Sequence, residues 1–288
     1  MDTDQINSCP VPNGVLVIIG GHENKDGKAE KKVQEGDNKP REILEDFVDL
    51  CGGKDSFIEV VTTASSAGDE SFEDYLKAFS ELGVKNIGHI HHNNRSDVLN
   101  NDFTERINNA NGIFFSGGDQ LKLTSIYGGT KFLYQIKQCY INRELVLGGT
   151  SAGAMAMSTP MIFAGSKEVE QIAGEIKITT GLEFLKDVCI DTHFVDRGRF
   201  VRMAQVIATN PACIGIGLEE DTAIVVRSGR KAEVIGSGVV IVIEGFRIKE
   251  SNIADIGSDE RIHIQDLNVK VLAKGSFYNI PQNNPPHI

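Results

Sequence analysis

The run L-V-L-G-G-T-S-A-G-A-M-A-M-S from Leu145 to Ser158 constrains the fold of this chain more than any other stretch. Apolar β-formers at Leu145, Val146 and Leu147 lead into Gly148 and Gly149, then Thr150 and Ser151, and small helix-favouring residues follow. That order predicts a strand, a sharp turn and a helix. Gly149 to Gly153 fits the G-x-S-x-G nucleophile elbow, in which a serine sits on a strained turn with its hydroxyl raised above the sheet edge. Side chains at 149 or 153 would crowd such a turn, and the helix beginning after Ser151 aims backbone N–H groups at negative charge developing nearby. The pentapeptide alone is equally compatible with a small-residue turn in which Ser151 only caps the helix.

The rest of the chain supplies the sheet such an elbow needs. Val15 to Ile19 is a continuous apolar, β-branched run stopped by Gly20 and Gly21, the pattern of a parallel strand buried on both faces. The polar segment from His22 to Lys39 has no apolar period and reads as a loop over the binding crevice. Pro40 opens a predicted helix through Cys51, with Ile43, Leu44, Phe47 and Val48 on one face and Gly52-Gly53 closing it. Strands are expected at Phe57–Thr62, Val84–Ile90 and Ile113–Phe115, and helices at Asp69–Leu82, Ser96–Ala110 and Lys131–Tyr140. This alternation predicts an α/β domain with a mostly parallel sheet. After about residue 210 the texture turns to short strands: Ile214–Leu218, Thr222–Val226, Lys231–Ile235, Val239–Glu244 and Val269–Lys274. One domain is expected, with its core over 13–227 and a β-rich C-terminal extension over 228–288.

At 288 residues the chain can bury a substantial core, and 40% hydrophobic with 24% charged residues is ordinary for a globular protein. A formal charge of −11 disfavours nucleic acid and anionic membrane surfaces as partners. The five cysteines are scattered without C-x-x-C spacing, so they read as reduced thiols, mostly buried, rather than a disulfide framework or zinc knuckle. The N-terminus lacks a basic n-region and an apolar h-region, and no run approaches a membrane span. A cytoplasmic location is therefore expected, although a form trimmed of a signal peptide would read identically.

A serine needs a base, and the base an orienting carboxylate. Among the seven histidines, His193 follows the apolar run Val188–Ile190 in the stretch D-T-H-F-V-D-R-G-R-F-V-R, where a strand end among charges points to a cleft. Arg197, Arg199 and Arg202 make the densest arginine cluster in an acidic chain and suit bidentate carboxylate binding, or local ion pairs with Asp191 and Asp196. The carboxylate is expected in G-I-G-L-E-E-D-T-A; alternation along a strand allows only one of Glu219 and Glu220 to meet His193. Ser116-Gly117-Gly118-Asp119-Gln120 is a second glycine turn at a strand end. Its amides, with that of Ala152, can form an oxyanion hole, or Asp119 can cap the helix that follows. His89, His91 and His92 resemble a metal cluster but have no third ligand element spaced to close it, so no metal site is expected.

Taken together, the G-G strand end at Gly20-Gly21, S-G-G-D-Q, G-T-S-A-G-A, D-T-H-F-V-D-R-G-R-F-V-R and G-I-G-L-E-E-D-T-A resemble the cyanophycinase family. These serine peptidases cleave an arginyl-aspartate storage polymer, and relatives include dipeptidases specific for aspartyl bonds. The resemblance runs from Val15 to about Lys274. It implies a flavodoxin-like fold related to class I glutamine amidotransferases, with Ser151 as nucleophile, His193 as base and Glu220 as acid. Gln120, Asp191, Thr192, Arg197, Arg199 and Arg202 fall on substrate-recognition positions. Thr192 departs from the usual D-Q-H-F, because a hydroxyl has neither the reach nor the donor–acceptor pair of an amide.

The expected chemistry is acyl transfer without metal or organic cofactor, on cyanophycin or an aspartyl peptide, in a chain that pairs as a homodimer. Glu23 or Asp26 is available for substrate guanidinium groups. Two other classes remain. An α/β-hydrolase esterase would need His263 or His287 as base, since its triad order is serine, acid, histidine, and a non-catalytic binding protein is compatible with the same fold.

Overall fold

The computed structural model describes residues 10–23, 25, 42–165, 172, 175–254 and 260–281. In chain order β1 (Val15–Ile19) is followed by α1 (Glu42–Leu50), β2 (Phe57–Val61), α2 (Gly68–Glu81), β3 (Asn86–Ile90), α3 (Arg95–Asn100) and α4 (Thr104–Asn109). Then come β4 (Gly112–Phe115), α5 (Gln120–Tyr127), α6 (Lys131–Asn142), β5 (Val146–Thr150), α7 (Ala152–Ala156) and, later, α8 (Phe200–Thr209).

An eight-stranded sheet contains these five strands side by side in the order β1-β5-β4-β2-β3, all parallel. Counted from β2, this is the 2-1-3-4-5 order of flavodoxin-like folds, with the fifth place taken by the strand that opens the chain. Beyond β1 the sheet continues with Thr222–Arg227, Lys231–Gly236 and Phe277–Asn279, each antiparallel to its neighbour. β1 is apolar throughout because both its faces are covered. Leu16 and Ile18 pack into one core with α5 and α6, while Val17 and Ile19 pack into the other with Ile43, Phe47, Tyr75 and Phe79 of α1 and α2.

A six-stranded second sheet has the order Asn268–Leu272, Val240–Glu244, Ile214–Leu218, Val188–Asp191, Ser158–Thr159, Leu185–Lys186. Val188–Asp191 and Ile214–Leu218 pair in parallel there. The chain leaves this sheet at Leu218 and enters the first at Thr222, so the three residues between bridge the two sheets. Strands after residue 228 are divided between both, apart from Glu250–Ser251 and Ile264–Gln265, which pair with each other.

The expected Ser96–Ala110 helix is two helices. Asn101 has extended backbone, and the Asp102 carboxylate accepts the Thr104 N–H at 2.9 Å. Short polar side chains that bond to neighbouring backbone favour a cap over a helix interior. The Pro40 start of α1 lies outside the described residues. The four described cysteines, Cys51, Cys139, Cys189 and Cys213, are free and buried. No helix among the described residues is long and apolar enough to cross a membrane.

Candidate active site

The elbow is as the sequence predicts: β5 ends at Thr150, Ser151 turns, and α7 starts at Ala152. Ser151 has φ +49°, ψ −113°, and its side chain makes no capping hydrogen bond, so the capping alternative falls. Its Oγ instead lies 3.0 Å from His193 Nε2. His193 Nδ1 lies 2.6 Å from Glu220 Oε1, which makes Nδ1 the donor to the carboxylate and leaves Nε2 to accept the serine proton. Glu219 turns the other way, its Oε2 accepting the Val239 N–H at 2.8 Å. Both acids lie just beyond Leu218, where the strand ends, and of the two Glu220 is the one that meets His193.

The serine comes from the first sheet, and the histidine and acid from strands of the second. The end of β1 holds them in register. Ile19 O accepts from Ser151 N at 3.1 Å, Gly20 O from His193 N at 2.9 Å and Gly21 O from Asp221 N at 2.9 Å. Three consecutive carbonyls thus tie down the three loops that carry Ser151, His193 and Glu220. Phe194, buried against Met203 and Ile207 of α8, anchors the far side of His193. Among the described residues eight non-glycines have positive φ, and His22, Ser151, His193 and Asp221 are four of them. Backbone held in sparsely populated regions gathers where side chains must be aimed rather than relaxed.

Gly21 has φ +101°, and a Cβ there would stand 2.6 Å from His193 Nε2. Gly21→Ala is expected to lower kcat/KM about 10²-fold by displacing the imidazole, since a misplacement of ~1 Å costs that much. Steady-state kinetics beside a thermal melt check this, and a wild-type rate would contradict the packing.

Burial pushes the His193 imidazole below its ordinary pKa. The Glu220 hydrogen bond opposes that shift, while Arg197 and His22 add to it. An imidazole can take a hydroxyl proton only when neutral, so a lowered pKa keeps this ring able to do so at more acid pH. The acid limb of kcat/KM is expected below the ordinary ~6.5 of a histidine. Arg197→Gln, removing a facing positive charge, should move that limb upward in a pH–rate profile.

Beside Ser151 lies a cleft of about 190 Å³ lined by Gly118, Gln120, Ala152, Thr192, Arg197, Arg199 and Arg202, among others. Gly118, at φ +140°, follows β4; a Cβ there would press on Ala64 and Ser65, so the chain can pass the serine only as glycine. Asp119 caps α5 through the Leu121 N–H. Gln120 Nε2 donates to Ile162 O at 2.8 Å. Asp191 stands behind the cleft, fully buried. Its Oδ2 accepts from Arg202 Nε at 2.6 Å and its Oδ1 from Arg199 Nη1 at 2.9 Å, with Arg202 Nη2 closing a bidentate pair. Arg199 Nη1 also donates to Thr192 O at 2.6 Å. Two guanidiniums share one carboxylate, so the pair carries net positive charge, and exposed Arg197 adds more. The Thr192 hydroxyl is buried without a hydrogen-bond partner.

One expectation changes. Glu23 is not free for a substrate: it is buried, with Oε1 accepting from Tyr75 Oη and Oε2 from Thr150 Oγ1, both at 2.5 Å. It fastens the loop after β1 to the elbow and to α2. Asp26 lies outside the described residues. The His89, His91 and His92 set does not converge: His89 and His91 share the Thr62 hydroxyl at 2.7 and 3.0 Å, and His92 Nδ1 meets Tyr127 Oη at 2.9 Å. His263 pairs with Gln265 and Glu250 away from the serine, and His287 lies outside the described residues. Sequence reasoning missed His22, whose Nδ1 is 3.5 Å from Glu220 Oε2. The signal was its place directly after Gly20-Gly21 at a strand's C-terminal end.

A hydroxyl, an imidazole and a carboxylate in this order above the carboxyl edge of a parallel sheet define the site of a serine hydrolase. The chain matches peptidase family S51 over residues 32–235 and belongs to that family of serine peptidases. It is 31% identical to the cyanophycinase of Synechococcus elongatus over 95% of this chain and 81% of that protein. With the cyanophycinase of Geminocystis herdmanii it shares 30% identity over 95% of this chain and 96% of the relative. The crystal structure of a peptidase from an acI-B1 Actinobacterium shares the fold, with a TM-score of 0.64 at 23% identity, covering 94% of this chain and 98% of that one.

Proposed function

We propose that this peptidase hydrolyses cyanophycin, multi-L-arginyl-poly-L-aspartate, to β-aspartyl-arginine dipeptides through an acyl-enzyme on Ser151. His193 Nε2 takes the Ser151 proton as Oγ attacks an aspartyl carbonyl, and Glu220 holds the imidazole in the tautomer that can accept it. The amides of Gly118 and Ala152 stabilise the oxyanion. His193 then passes the proton to the leaving nitrogen, and water, activated by the same base, releases the acyl group. Both halves of that exchange are proton-neutral, so no metal or organic cofactor enters the balance.

The observation that carries the substrate is the cationic wall beside the serine. Three arginines line one cleft in a chain of net charge −11, and a single carboxylate neutralises only one of them. Each arginine of cyanophycin ends in a free carboxylate, the group that planar guanidiniums bind best. Asp191 acts through Arg199 and Arg202, holding both forks at the cleft, and Gln120 supports the Ile162 side of the cleft. The two cyanophycinases that this chain resembles over almost its whole length support the same substrate.

Incubation of the purified protein with insoluble cyanophycin tests the proposal. Soluble β-aspartyl-arginine, identified by mass spectrometry, is the expected product. Cleavage of aspartyl dipeptides with no release from the polymer would assign the protein to the dipeptidase branch instead. Thr192, where the usual glutamine is missing, is the position to change first in that event.

A further inference from the structure

His22 follows the two glycines at the end of β1 in left-handed backbone, with φ +50°. Its side chain is 68% exposed, yet its Nδ1 stands 3.5 Å from Glu220 Oε2, the carboxylate oxygen that His193 leaves free. Its ring meets that of His193 edge-on, with centroids 5.2 Å apart. One ligand atom from each of His22, His193 and Glu220 falls within 4.8 Å of the others, a convergence that no other three such residues reach among the described residues. The acyl-transfer chemistry has no use for a second imidazole on the outer side of its acid.

Two imidazole nitrogens and a carboxylate, with a fourth position open to solvent, form the donor set preferred by a borderline ion such as Zn²⁺. Ligand atoms around a tetrahedral zinc lie ~3.3 Å apart, given Zn–N and Zn–O distances of ~2.0–2.1 Å. His22 Nδ1 meets Glu220 Oε2 at 3.5 Å and His193 Nδ1 meets Oε1 at 2.6 Å, so the two imidazoles flank the two oxygens of one carboxylate, and the shorter separation must open by several tenths as a metal replaces the proton on His193 Nδ1. We propose that His22, His193 and Glu220 form an inhibitory site for a divalent transition-metal ion, with zinc the best match, which switches the peptidase off reversibly.

The switch works through the tautomer. In the active arrangement the single ring proton of His193 sits on Nδ1, facing Glu220, and Nε2 accepts from Ser151. A metal on Nδ1 needs that lone pair, so the ring, still neutral, carries its proton on Nε2. The imidazole then donates toward Ser151 and has no lone pair with which to take the serine proton. No bond to the serine forms or breaks, and removal of the ion restores the base. Inhibition rests on the triad proposed above; binding does not.

Calorimetric titration of Zn²⁺ into metal-free Ser151→Ala protein, with and without His22→Asn, tests the site apart from turnover. Asparagine tolerates the left-handed backbone and removes the imidazole. One ion per chain is expected, with affinity at least about tenfold weaker after His22→Asn, as loss of even a supporting partner costs that much at metal sites. In otherwise wild-type protein, Zn²⁺ should inhibit hydrolysis and EDTA restore it. With each protein normalised to its own metal-free rate, half-inhibition of His22→Asn should need at least about tenfold more zinc. Equal affinity with and without His22, or His22-dependent binding that leaves hydrolysis unchanged, would overturn the proposal. A failure of the triad itself would appear separately, as hydrolysis retained by Ser151→Ala.

Discussion

Ser151→Ala is expected to lower kcat by a factor on the order of 10⁶, the scale seen when the nucleophile of a serine protease is removed. The alanine keeps the backbone of the elbow, and the hydroxyl makes no capping bond. Thermal stability should therefore stay close to that of the wild type. The cationic cleft is untouched, so cyanophycin fragments should still bind. Loss of turnover with retained binding, measured on one preparation by product release and by calorimetry, is the signature of a group that acts only on the reacting bond.

Asp191→Ala is expected to act on stability. The carboxylate is fully buried and Arg202 is 7% exposed, so the two guanidiniums that Asp191 holds have little water to replace it. Breaking a buried ion pair from one side leaves an uncompensated charge, at a cost of about 3–5 kcal/mol. Here two like charges would be left facing each other, which places the expected loss at the upper end. Urea unfolding reads it as a lower midpoint with an unchanged slope. Activity should fall as well, because the forks would no longer be aimed into the cleft. A midpoint like the wild type would show that Asp191 is not what holds the arginines.

The residues that carry local signals were legible in the chain. A strand, two glycines, a serine and small residues announced the elbow. Strand alternation predicts that one at most of Glu219 and Glu220 meets His193, although the rule reaches them only from beyond the strand's last residue, Leu218. β1 announced itself through a run that is apolar on both faces. Long-range pairing was not legible. Val188–Asp191 and Ile214–Leu218 have the same apolar texture as the strands of the first sheet, and nothing within them says that they pair in a second one. Glu23 looked like a loop acid because its partners are Tyr75 and Thr150, the latter 127 residues away. The three carbonyls of residues 19–21 that tie the site together are backbone groups, which no residue type advertises. His22 sat in a polar segment whose companions concealed it, and only the fold of the Gly20-Gly21 turn brings it to Glu220.

Labelling with a serine-directed phosphonate tests the central claim most directly, because the reagent reports nucleophilicity without requiring a substrate. Peptide mass spectrometry should find one adduct, on Ser151. Labelling should disappear in His193→Ala and be slowed in Glu220→Gln, in which the imidazole loses its charged partner. An unlabelled Ser151 in protein that cleaves aspartyl peptides, or equal labelling in His193→Ala, would contradict a nucleophile activated across the two sheets.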